Sequence, residues 1–129
     1  MALADYATGG CVGVALSVAL FGNGFDPRVA ALLNETHPGW LNDGVPAGEA
    51  LDIYVAVKPD AVTYSPALRG EPIGSPIALQ VLGNAKSGVV ILDIQGHGFH
   101  AVGVRDGVVT DTISHEGSSA RIVAACYEN

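Results

Sequence analysis

The chain has 129 residues, 49% of them apolar and only 15% charged, and 13 acidic residues against six Lys and Arg give a formal charge of −7. That composition excludes a disordered chain, and basic residues scattered singly form no patch that could neutralise a phosphate backbone, so nucleic acid is not an expected partner. One domain over residues 1–129 is expected, long enough to bury roughly two-thirds of the surface that its unfolded form exposes.

The first element lies in TGGCVGVALSVAL, Thr8 to Leu20. From Cys11 to about Leu20 the residues are apolar on every side, which predicts a central, buried helix. The run is too short to cross a bilayer, and Asp5 stands where a secretory signal needs basic residues, so neither membrane insertion nor a signal peptide is expected. A lipoprotein signal fails as well, because the apolar segment follows Cys11. The chain reads as cytoplasmic at synthesis.

Gly22 and Gly24 supply the helix stop, and Asp26 followed by Pro27 predicts an N-cap with proline at the first position of a second helix, through about Leu33. Asn34 to Gly48 reads as an irregular loop carrying the only tryptophan, Trp40, which either walls a cleft or pins the loop. In EALDIYVAV, residues 49–57, Leu51, Ile53, Val55 and Val57 alternate as in a strand, yet the length and the Glu49 opening also suit a helix. We read it as a helix, stopped in either case by Lys58-Pro59. Ser65 to Gly74 is a second loop, and Ser75-Pro76 repeats the cap signal for a short helix through about Leu82.

After Lys86-Ser87-Gly88, VVILDI predicts a buried strand, FHAVGVRDGVVTDTI two strands about Asp106-Gly107, and ARIVAACY a last one. Helices first and strands afterwards predict an α+β domain with its helices packed on one face of a C-terminal antiparallel sheet.

With Asp106 and Gly107 as the turn, Arg105 faces Val108, Val102 faces Asp111 and His100 faces Ile113, so His100 and Asp111 share a face one diagonal step apart. A bulged turn would change that register. A carboxylate beside an imidazole fixes its tautomer and leaves the other ring nitrogen for a partner. Cys11 is the candidate partner, because free backbone N–H groups and the dipole at a helix N-terminus favour the thiolate. Gly9 and Gly10 let the backbone fold tightly there, leaving room for a carbonyl to reach the Cys11 N–H as one oxyanion donor.

The order Cys, helices, strand, His, hairpin, Asp, strand resembles the papain-like cysteine peptidase superfamily. The likeness is to its small bacterial branches: double-glycine leader peptidases, papain-fold toxins and glutamine deamidase effectors. It rests on GGCVGVALSVAL, GHGFHAVGVRDG and VVTDT and spans nearly the whole chain. It implies a papain-like α+β fold in which Cys11 is the nucleophile, His100 the general base and acid, and Asp111 the orienting third member. Many relatives carry a glutamine a few residues before the cysteine as second oxyanion donor; ADYATGG has none, and Gln95 is the substitute, with Gly10 shaping the helix mouth. The chain's small size tilts the reading from broad proteolysis toward a single-site peptidase, amidase or deamidase acting on a protein or peptide through a thioester. The toxin and effector branches imply a cognate inhibitor or immunity protein and export by a signal-independent route. The alternative is a binding or inhibitor protein that keeps the fold without the chemistry.

Each residue also has a plainer reading. Cys11 could be a small core hydrophobe, His100 a satisfied core histidine and Asp111 a turn cap; the conjunction points to chemistry. His97 competes with His100, and the odd offset puts the two on opposite faces if the strand begins at His97. His100 is preferred because an uninterrupted strand follows it. Two histidines three apart on a strand do not converge on one ion, even with Cys11, Asp111 or His115 as further ligands, so no metal and no cofactor are expected. Cys126 reads as core, and no Cys11–Cys126 disulfide is expected.

Overall fold

A computed structural model describes residues 11–22, 26–40, 45–59, 63–64, 68–94, 98–109 and 120–129. Four helices, α1 (Cys11–Phe21), α2 (Pro27–Thr36), α3 (Glu49–Val57) and α4 (Pro76–Gly83), accompany strands β1 (Thr63–Tyr64), β2 (Ser87–Ile94), β3 (Gly98–Arg105), β4 (Val108–Val109) and β5 (Ala120–Glu128). The five strands form one antiparallel sheet in the order β1-β5-β2-β3-β4. The α+β class holds.

Local chemistry sets most boundaries. Gly22, at φ +74°, ends α1. Asp26 caps α2 by accepting from the Arg28 N–H, with Pro27 in the first turn, and Ser75 caps α4 by accepting from the Ala78 N–H, again with a proline following. Both signals combine an orphan-donor acceptor with a residue whose fixed φ suits a first turn. The ambiguous segment 49–57 is helical because it buries Ala50, Ile53 and Tyr54, a spacing of three and four that only a helix turns to one side.

α2 runs to Thr36, three residues past the expected end, and Trp40 is buried with its indole N–H donating to the Asn34 side-chain oxygen at 2.8 Å. The tryptophan pins the connection after α2. A Ser17 hydroxyl that donates to the Gly13 carbonyl also accepts from the Asp26 N–H at 2.9 Å, tying the middle of α1 to the start of α2.

The sheet is covered on both sides, not one. Val89, Ile91, Ala101 and Cys126 pack with α1, α2 and α3. Val90, Leu92, Val102, Val104 and Ile122 face the other way, against Leu68, Ile73, Ala78, Leu82 and Ala85. α4 and the chain on either side of it thus form a third layer, which explains why β2 is apolar at nearly every position. Part of the expected loop 65–74 lies along β5: the Gly70 N–H donates to the Ile122 carbonyl, the Ile122 N–H to Glu71 and the Ile73 N–H to Ala120. Among the described residues no helix is long and apolar enough to cross a membrane.

Candidate active site

Cys11 is the first residue of α1, as the sequence predicted. Two close approaches place the helix on the sheet. Gly103 of β3 lies against Ala15 and Val18, and the Arg105 guanidinium donates to the Ala19 carbonyl at 3.1 Å beside Gly22. Rising numbers on the helix meet rising numbers on the strand, so α1 runs alongside β3 and its N-terminus points toward the start of that strand. Only a glycine at 103 lets the helix backbone come so near.

Strand alternation then decides which side chains share the helix's side. Ala101 belongs to the core layer of α1, and Gly103 and Arg105 touch α1 directly. Val102 and Val104 belong to the layer of α4. His100 has the parity of Val102 and pairs across the sheet with Leu92, itself in the α4 layer. The buried imidazole therefore lies on the face away from α1. The structure does not bring His100 to the side of the sheet that carries Cys11.

The Asp106-Gly107 turn is present, with φ of 50° and 79°, and Arg105 pairs with Val108 as the two-residue turn requires. The further partners expected for the hairpin, Asp111 and Ile113, lie outside the described residues, as do Gly10, Gln95, His97 and His115.

On the α1 side, the sheet surface changes character at the helix mouth. Ile91 and Ala101 are 4% and 1% exposed, whereas Phe99, two residues before Ala101, is 63% exposed. Phe99 pairs with Asp93, and Asp93 pairs on its other side with Arg121, so an aromatic, an acidic and a basic residue cross three adjacent strands in one exposed row. Sequence reasoning passed over this row. Its signal was Asp93, the single charge in VVILDI.

Cys126 is the second thiol. It is fully buried opposite Val89, and burial pushes its pKa up to about 12, a hydrogen bond from the Val89 backbone opposing the shift in part. A thiol held neutral in this way packs as a hydrophobe and is a poor nucleophile. Among the described residues no three His, Cys, Asp or Glu side chains gather as a metal site. Comparison with protein-family models, with curated proteins and with solved structures finds no match.

Proposed function

We propose that the protein is a thiol hydrolase that cleaves an amide bond, with Cys11 as its nucleophile and a histidine of GHGFH as its base, in a papain-like arrangement. The observation that carries this reading is the position of α1: a buried helix, locked to β3 through Gly103, that opens with a cysteine at the exposed end of the sheet. A rigid helix N-terminus holds its first residue in one place and offers N–H donors to a developing oxyanion.

The base has to come from the helix's side of the sheet. His100 is turned the other way, so we assign the role to the competing histidine of GHGFH, His97, which lies outside the described residues. The thiolate sulfur attacks the amide carbonyl carbon, and the tetrahedral intermediate expels the amine as the imidazolium gives up its proton. Water, deprotonated by the same imidazole, then attacks the thioester and releases the carboxylic acid and the thiol.

Iodoacetamide tests it. Cys11 is expected to label at neutral pH at least about a hundredfold faster than buried Cys126, with His97→Ala removing most of that advantage and His100→Ala sparing it. Equal, slow labelling of both cysteines would overturn the nucleophile, and loss of reactivity in His100→Ala alone would overturn the choice of base. The orientation of His100 favours one second reading, a non-catalytic binding or inhibitor protein of the same fold. Under that reading Cys11→Ala retains full biological activity.

A further inference from the structure

We propose that Asp93 and Phe99 form the specificity subsite of this site and that it receives a basic side chain of a peptide substrate. The position of the subsite rests on the thiol-hydrolase reading above. The two residues are direct cross-strand partners on β2 and β3, on the face that α1 covers, one step beyond Ile91 and Ala101. Partners so placed have Cβ atoms about 5 Å apart, so the carboxylate and the ring border the same volume. Both are exposed, at the end of the sheet toward which the Cys11 end of α1 points.

Arg121, the other neighbour of Asp93, forms no ion pair with it. Its guanidinium donates to the Gly70 carbonyl at 3.1 Å, toward the outer side of β5, and among the described residues Asp93 has no ion-pair partner. The pair therefore offers a carboxylate with no ion-pair partner among the described residues beside an exposed aromatic ring. A lysine or arginine satisfies both: its charge meets Asp93, its cation or planar group lies over the ring, and its methylenes cover the ring's apolar surface. An apolar side chain would use Phe99 but strip water from Asp93 without return. An acidic one would be repelled, here and by the net charge of −7.

The test compares two haloacetamide probes of equal shape, N-chloroacetyl-argininamide and its neutral isostere N-chloroacetyl-citrullinamide, on Cys11. The arginine probe is expected to react about three- to tenfold faster, a ratio that falls toward one in Asp93→Asn, falls partly in Phe99→Ala and persists in Glu35→Gln, which removes an exposed charge elsewhere. Equal rates for the two probes in the unmodified protein, or an equal loss of the ratio in Glu35→Gln, would overturn the subsite. Plain iodoacetamide reports the nucleophile separately. Should Cys11 prove inert to every reagent, acetyl-argininamide and acetyl-citrullinamide are titrated into the Cys11→Ala protein. Amide shifts at Asp93 and Phe99 with the arginine compound alone retain the subsite as a site for basic peptides; their absence removes it.

Discussion

Gly103 of β3 sits so close beneath Ala15 of α1 that a Cβ at position 103 would stand 2.5 Å from the Ala15 carbonyl oxygen and 2.8 Å from the Val18 Cβ. Neither neighbour can yield, since one is helix backbone and the other a branched carbon anchored to it. Gly103→Ala is therefore expected to cost about 1–3 kcal/mol by overpacking. Urea denaturation measures it, and a midpoint equal to that of the unmodified protein would show that the helix can lift freely from the strand.

Ser17 bridges α1 and α2 through a buried hydroxyl that accepts from the Asp26 N–H. Ser17→Ala leaves that N–H without its acceptor in a site that is 3% exposed, and the expected loss is about 1–3 kcal/mol. Hydrogen exchange at Asp26 should accelerate by more than the global loss of stability accounts for. Unchanged exchange there would mean that the bond contributes little.

The alkaline limb of stability is expected to depend on Cys126. Its thiol pKa is raised from 9.0 to about 12 in the folded protein, so its contribution is complete below pH 9 and is lost as pH rises from there toward 12. Tyr54 acts in the same direction from its ordinary value of 10.0, burial outweighing the opposing hydrogen bond to Ser87. Cys126→Ala should therefore flatten the fall in stability between pH 9 and 10 and leave a residual slope above that range. Coincident pH profiles for the two proteins would sink the assignment.

On the acid side, the Lys58 ammonium lies 2.7 Å from Glu128 and, as its hydrogen-bond donor, holds that carboxyl below its usual range, burial opposing. A lowered carboxyl pKa stabilises the fold above about pH 4.3 and loses that contribution as pH falls through the lowered value. Both side chains are partly exposed, so Lys58→Met is expected to cost only about 0.2–1 kcal/mol at pH 7. The difference from the unmodified protein should vanish by pH 2, as thermal midpoints at the two pH values would show. A gap that persisted at pH 2 would assign the effect to packing of the lysine stem.

Caps, stops and turns were legible in the chain because each is a local device. Asp26-Pro27, Ser75-Pro76, Gly22 and Asp106-Gly107 satisfy or redirect backbone groups a few residues away, and all four stand where the sequence places them. The state of residues 49–57 was only half legible: Leu51, Ile53, Val55 and Val57 alternate as in a strand, and the burial of Ala50, Ile53 and Tyr54 on one side decides for the helix. Which side of β3 meets α1 was not. From Ala101 to Val104 the strand is buried on both faces, so no alternation of polar and apolar residues marks an inside. That choice arises only when α4 and its flanking chain close over Val90, Leu92 and Val102, while the bare backbone of Gly103 admits α1 on the other side. Sequence alone selected a helix that opens with Cys11 and a strand that carries His100; non-local packing turned His100 away from that helix and left Asp93 and Phe99 in the open beside its mouth.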